Sequence, residues 1–306
     1  MRIDRPTEDD TPRAGAADRA AGTPSAAAGN AAPDRVAFAA EYRATVDAAH
    51  REHRAAREWD EAVPALREAW EAHEKKWIYP ERTEPTVQAD IPGAWRGDGG
   101  RYLAPDANAE VTRGCARIRE LGETVITPAM RRIEAEDPAR HLAGLDHRLK
   151  GENRLKEKVA ERLQLRPELS PSQVLSAVPD AVRFTFVYPH ERYADGVGAD
   201  VRRLRAEGFE LTEPLKNTWA NEQYKGLNSR WRDSDSGQVF ELQFHTRASF
   251  EAKQLTHPAY ERIRNPETSD DERAELEDFQ RQAGEKIPIP PGATEIEDCP
   301  REERDG

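Results

Sequence analysis

In Val239-Phe240-Glu241-Leu242-Gln243-Phe244-His245-Thr246, three polar side chains alternate with three large apolar ones. A period of two is that of a β-strand, so Phe240, Leu242 and Phe244 share one face while Glu241, Gln243 and His245 share the other. A carboxylate, an amide and an imidazole in a row can line a site; the same row suits an edge strand whose polar face meets water. A second group is Arg148, Lys150, Arg154 and Lys158. Their spacing predicts a basic helix over about 148–163, with Lys150, Arg154 and Lys158 four apart on one side. Cations so aligned favour an anionic partner such as a polyphosphate, unless Glu152, Glu157 and Glu161 balance them on a solvated face. Asp180 stands at the entrance to AVRFTFVY, 181–188, which carries Arg183 and Thr185. A carboxylate there, opposite Glu241, is a common way to hold Mg²⁺ against phosphates, although Pro179-Asp180 is also an ordinary turn pair. Lys216-Asn217-Thr218-Trp219 and Tyr224-Lys225-Gly226-Leu227-Asn228 put aromatics beside cations, which can stack on a base and meet phosphate. Ordinary loops share that composition.

These residues need elements to position them. Val182, Phe184, Phe186 and Tyr188 alternate with Arg183, Thr185 and Val187, the pattern of a half-buried strand. A helix follows near 197–207, closed by Gly208. Strands are expected at 209–215, 226–232 and 238–245, the last two joined by the turn DSDSG. A helix should begin after Thr246 and restart at Pro258. The expected class is α+β, a mixed β-sheet flanked by helices, with an N-terminal helical region. That region, 35–137, shows helical spacing from Val36 to Trp77, with Phe38, Tyr42, Val46, Trp59, Val63, Leu66 and Trp70 at three- and four-residue steps. Pro64 is expected to divide it into two helices. The Pro, Gly and Trp content of 79–105 predicts an irregular connection with a GDGG turn at 97–100, and helices return over 107–122 and 126–136. The α+β unit spans 138–266. An acidic C-terminal helix and a weakly packed tail are expected over 267–306.

Composition narrows the classes. The chain has 306 residues, 46 Lys+Arg against 58 Asp+Glu, a formal charge of −12 and a hydrophobic fraction of 37%. The low apolar share implies that part of it stays outside any core. Residues 1–34, rich in Ala, Gly, Pro, Asp and Arg, read as a disordered tail. No run of about 18 uncharged apolar residues occurs, so no membrane span is expected. No apolar secretory stretch opens the chain, and the two cysteines, Cys115 and Cys299, argue against a disulfide framework or a thiolate zinc site. The expected compartment is the cytoplasm. Cys115 lies in a helical pattern and reads as packing rather than as a reactive thiol. The acidic balance argues against broad coating of nucleic acid, yet 148–166 carries a local excess of Arg and Lys.

In order and spacing, the motifs from about 146 to 264 resemble the synthetase domain of the RelA/SpoT family, alarmone synthetases of the nucleotidyltransferase superfamily. The family's Arg-x-Lys followed by a small polar residue and a Lys is similar to Arg148, Lys150, Arg154 and Lys158, with Arg154 where Ser is usual. Its Mg²⁺-binding Asp matches Asp180. The Arg five residues on is Thr185 here, and Arg183, two residues earlier on the same strand face, can substitute. Lys216-Asn217-Thr218 resembles a Lys-Asp-Tyr segment. Tyr224 to Asn228 resembles Gly-Tyr-x-x-Leu-His, with Asn228 in place of His. Glu241, Gln243 and Thr246 match Glu-x-Gln-x-x-Thr, with His245 where Arg is common. His257 and Tyr260 fall where the family has a His and an aromatic.

The resemblance implies transfer of the β,γ-pyrophosphate of ATP to a ribose 3′-hydroxyl of GDP, GTP or an adenine nucleotide, giving an alarmone such as (p)ppGpp. It implies that Arg148, Lys150, Arg154, Lys158 and Arg183 bind ATP. Asp180 and Glu241 hold Mg²⁺ and, with Gln243, act in catalysis. Lys216, Tyr224, Lys225, Asn228 and His245 bind the acceptor. A toxin-like branch that modifies the 3′ end of tRNA, and an inactive nucleotide-binding regulator, are the alternatives. A homo-oligomer or a neutralising antitoxin are the partners this leaves open. The family's hydrolase domain carries a His-Asp pair; no His-Asp dipeptide occurs here, so synthesis without hydrolysis is the expectation.

Overall fold

The structure is a computed structural model that describes residues 35–77, 91–265 and 267–297. The expected tail at 1–34 and Cys299 lie outside the described residues. Contacts divide the chain into two units at Ala44; of the first, residues 35–44 are described, as the start of helix α1. Helix α1 runs from Arg35 to Lys76 without a break, so Pro64 does not divide it. Proline removes one backbone bond at a cost of roughly 3 kcal/mol. Tertiary anchors on both sides offset that loss. Before Pro64, the buried Trp59 indole donates to Glu251 at 2.7 Å and Asp60 pairs with Arg247 at 2.7 Å. After it, Leu66 is buried and the Trp70 ring lies 5.5 Å from Phe279.

Strands β1, Trp95–Arg96, and β2, Tyr102–Leu103, form a small hairpin around the anticipated turn at 97–100. Helices α2, Pro105–Leu121, and α3, Thr127–Ala135, are joined by one π-helical turn at Gly122–Ile126. Buried Val111, Cys115, Ile118, Met130 and Ile133 line their inner side. Burial pushes the Cys115 thiol up to about 11, as suits a packing residue.

The main sheet contains β3, His141–Leu142; β4, Arg183–Tyr188; β5, Phe209–Leu211; β6, Lys216–Asn217; β7, Leu227–Asp233; and β8, Val239–Thr246. Its order is β3-β4-β8-β7-β5, with β6 beside β7. Only β4 and β8 run parallel, so the sheet is mixed and the class is α+β. The expected strand at 209–215 forms only over β5, and β6 lies just beyond its end. Phe184, Phe186 and Tyr188 on β4, with Phe240, Leu242 and Phe244 on β8, form the apolar face. Each such side chain contributes about 1.5–3 kcal/mol when fully buried. Between β4 and β5 lies α6, Tyr193–Ala206, which closes this face: Tyr193 donates to the Phe244 carbonyl at 2.9 Å and packs edge-on against Tyr188. Beneath it Arg140 pairs with the fully buried Asp200, which also accepts from Tyr188 at 2.6 Å.

The basic segment departs from expectation. Helix α4 is Glu152–Leu165, so Arg148 and Lys150 precede it. Backbone pairing explains the late start. Leu149 bridges Val182, the Lys150 amide donates to the Ala181 carbonyl at 3.0 Å, and the Arg183 amide donates to the Arg148 carbonyl at 2.7 Å. Residues 148–150 are therefore held as an extension beside the entrance to β4. The short α5, Pro171–Ser176, begins with a capping box between Ser170 and Gln173.

Helix α7, Arg247–Ile263, starts where expected, with Thr246 and Ser249 forming a reciprocal cap. It continues through Pro258, because buried Ala252, Thr256 and Ala259 hold it on both sides. Helix α8, Asp270–Glu285, and the residues after it are well packed, contrary to the expected weak tail. Leu276, Ala283 and Ala293 are fully buried. The Asn217 amide donates to the carbonyls of Ala293 and Ile296 at 2.8 and 3.0 Å, which ties this segment to β6. A Cβ at Gly284 would stand 1.9 Å from the Glu222 carbonyl oxygen, so α8 lies directly against the 218–226 loop. Gly284→Ala is expected to cost about 1–3 kcal/mol through overpacking. An unchanged urea-unfolding midpoint would contradict this close approach.

Candidate active site

The register of the sheet assembles the site. Arg183 lies opposite Glu241 and Thr185 opposite Gln243 across the parallel β4–β8 pair. On the other side of β8, Asn228 opposes Gln243, and Lys216 opposes Asn228. These positions share the face away from Phe184, Phe240 and Phe244. The pattern read from the sequence thus has its polar side covered by α7 rather than by water alone: Gln243 is buried and His245 is wholly enclosed.

Asp180 sits in a single 3₁₀ turn, Pro179–Ala181, that leads into β4. Lys158 donates to both of its oxygens at 2.8 Å, and the Lys150 ammonium is 3.1 Å from one of them. Burial by itself would raise the Asp180 pKa. The Lys158 hydrogen bond and the charges of Lys150 and Lys158 outweigh it and hold the carboxyl below its usual range. Lys150 thus reaches Asp180 from the extended segment and Lys158 from the second turn of α4. Arg154 is not with them: its side chain is half exposed and pairs with Glu157 at 3.0 Å. Arg148 is also turned elsewhere, bonding Glu123, Thr127 at 3.2 Å and the Leu145 carbonyl at 2.8 Å. The expected row of cations is therefore a pair around one carboxylate.

Next to this pair, Glu241 accepts from the Gln243 amide, whose oxygen in turn accepts from Lys253. Burial pushes the Lys253 ammonium down to about 8, and the positive charge of Arg183 adds to the shift. Arg183 makes no side-chain hydrogen bond or ion pair among the described residues, although its charge acts on Lys253, His257, His245 and Tyr224. It therefore points into the same space. Lys253 escaped notice in the sequence. Ser249, Lys253 and His257 are spaced by four on α7, a signal that one helix face serves the site.

The acceptor-side residues divide. Tyr224 is half-buried; its hydroxyl donates to Asn228 Oδ1 at 3.0 Å and lies 3.1 Å from His245 Nε2. The His245 ring stands edge-on to Tyr224 and its Nδ1 is 2.9 Å from Ser249 Oγ. A Cβ on Gly226 would be 2.6 Å from this imidazole, so glycine is what lets β7 pass so close. His245 is enclosed and cannot touch an acceptor; it orients Tyr224 instead. Lys225 is likewise not free for an acceptor, since its buried ammonium donates to the carbonyls of Asn221 at 2.7 Å and Trp219 at 3.3 Å. Trp219 is fully buried edge-on to Tyr193 and belongs to the core. Lys216 is exposed on the rim.

Burial also drives the His245 pKa far below 6.5, with the Lys253 charge acting the same way. The folded protein thus binds fewer protons here than the unfolded chain. Stability from this group is complete above 6.5 and falls as pH drops below it, by up to about 1.36 kcal/mol per pH unit. His73, His190 and His257 are lowered too and add with the same sign. Thermal unfolding between pH 7.5 and 5.5 should show this loss, and His245→Gln should reduce its slope. A flat profile in the native protein would contradict the burial of a neutral imidazole.

No family model matches the chain, and no curated protein does. The chain is similar in structure to small alarmone synthetases. The small alarmone synthetase 1 from Bacillus subtilis, bound to its product pppGpp, aligns at 15% identity over 58% of this chain and 93% of that one, with a TM-score of 0.41. A GTP pyrophosphokinase family protein from Streptococcus pneumoniae aligns at 15% identity over 60% and 90%, with a TM-score of 0.40. The small alarmone synthetase 2 from Bacillus subtilis aligns at 14% over 57% and 90%, also at 0.40. Among the described residues no helix is long and apolar enough to cross a membrane.

Proposed function

We propose that this chain is a pyrophosphokinase, which moves the β,γ-pyrophosphate of ATP to the 3′-hydroxyl of a nucleotide acceptor. The observation that carries the reading is the charge arrangement on one sheet face. Three cations, Lys150, Lys158 and Arg183, stand around two carboxylates, Asp180 and Glu241. A surplus of fixed cations around paired carboxylates suits a polyphosphate. The motif order from Lys150 to Thr246 supports the same reaction. In the transfer, the acceptor 3′-oxygen forms a bond to the β-phosphorus as the bond from that phosphorus to the α,β-bridging oxygen breaks. AMP leaves, and the hydroxyl proton passes to Glu241.

Lys150, Lys158 and Arg183 bind the phosphates in this scheme. Glu241 orients and deprotonates the hydroxyl, with its carboxylate set by Gln243. Tyr224, whose hydroxyl is fixed by Asn228 and His245, offers its ring to the acceptor base. Asp180 and Glu241 are hard oxygen donors, of which Mg²⁺ takes one or two while phosphate oxygens and water complete its shell. When bound it would neutralise phosphate charge. Pyrophosphoryl transfer asks for little beyond positioning and charge neutralisation, which these side chains provide.

The test is incubation of the purified chain with ATP labelled in the γ-phosphate and, separately, GDP, GTP, adenine nucleotides and bulk tRNA. A guanine nucleotide is expected to take the label. Label on tRNA would instead favour the toxin-like reading. No label on any acceptor would refute the transfer.

A further inference from the structure

From helix α7, Ser249 reaches His245 and Lys253 reaches Gln243, both on the polar face of β8. Lys253 Nζ donates to Gln243 Oε1, and Gln243 Nε2 donates to Glu241 Oε1. An ammonium can only donate and a carboxylate can only accept, so a single orientation of the amide satisfies both. Reversed, the amide oxygen would face the Glu241 carboxylate and its NH₂ would face the ammonium, exchanging two bonds for two repulsions. Thr185 Oγ1, 3.5 Å from the same amide oxygen, adds a weak contact in the same sense. The Lys253 ammonium also lies 5.8 Å from the centre of the Phe250 ring. Burying a cation is costly unless it is paired or hydrogen-bonded, and here the amide and the charge of Glu241 supply the compensation.

We propose that Lys253 is a positioning residue, which acts through the Gln243 amide to hold the Glu241 carboxylate in the orientation used for transfer. The role rests on the pyrophosphokinase reading, and the contact does not.

Steady-state kinetics of Lys253→Met, Gln243→Met and the double variant test it, since Met keeps the length of the lysine stem. Each single variant is expected to lower kcat about 10- to 100-fold with KM for ATP changed less than about threefold, because Glu241 is misplaced while the phosphate contacts remain. The double variant should lose no more than about twofold beyond Gln243→Met, since Lys253 then has nothing left to orient. Losses that multiply, or native kcat in Lys253→Met, would overturn the proposal. The side-chain amide resonances of Gln243 in ¹⁵N-labelled protein give a readout independent of turnover. They should shift in Lys253→Met, and unchanged resonances would overturn the contact. A native protein that labels no acceptor overturns the transfer and any role in it, while the amide spectrum still decides whether Lys253 fixes Gln243.

Discussion

Glu241→Gln is expected to retain ATP binding and to lose about 10²- to 10⁴-fold in kcat, the usual worth of a positioned general base. The substitution keeps the shape of the side chain, and its amide oxygen can still accept from Gln243 Nε2, so the β8 backbone and the apolar face beneath it are undisturbed. What disappears is the charge and the capacity to take a proton. Because Lys150, Lys158 and Arg183 are untouched, KM for ATP should change little. A loss shared equally between kcat and kcat/KM is the signature of an interaction made only in the transition state. Native turnover in purified Glu241→Gln protein would remove Glu241 from the chemistry.

On the proposed reading, Asp180→Asn is expected to reduce transfer at least about 100-fold and to abolish any stimulation by Mg²⁺, since it removes one of the two hard donors proposed for the ion. The geometry adds a further expectation of opposite sign. Asp180 now neutralises two ammonium groups, at 2.8 and 3.1 Å, so ATP must compete with it for Lys150 and Lys158. In EDTA, the Asn variant should therefore bind ATP at least as tightly as the native protein, because its cations are unmatched. Isothermal titration with and without Mg²⁺ separates the two effects. Weaker metal-free binding in the variant would show that the lysines depend on Asp180 for their placement. Its folding stability should fall by about 1–2 kcal/mol, a figure kept small because the lysines are partly solvated.

Much of this site was legible from period and order. The alternation in 239–246 and in 182–188 put Glu241, Gln243, Arg183 and Thr185 on faces that the register then joined, because a one-residue slip would turn every apolar side chain into solvent. Asp180 at a strand entrance, and a helix starting after Thr246, are likewise visible in the sequence. The departures from the sequence pattern have a common origin. Helical spacing alone put Lys150 on a helix, but backbone bonds from Lys150 to Ala181 and from Arg183 to Arg148 took those residues into an extended pairing. Pro64 and Pro258 are the residue type of a helix break, and the tertiary anchors that carry the helices through them lie far off in the chain, as Trp59 to Glu251 does. His245 and Lys225 had the right chemistry for an acceptor site. Their burial depends on Tyr224, Ser249 and the 218–226 loop, and composition does not carry that. The C-terminal segment looked loose from its charge, yet Leu276, Ala283 and Gly284 form a seam against α7 and the loop.

Pyrophosphoryl transfer breaks ATP between its α- and β-phosphates. Paired reactions with ATP labelled at the α- or the γ-phosphate, run with the acceptor that takes label and resolved by chromatography, test it directly. The γ-label is expected to move to the acceptor while α-label appears only in AMP, in equal amounts, and Asp180→Asn should suppress both. Release of ADP with a single phosphate on the acceptor, or label that never leaves ATP, would contradict it.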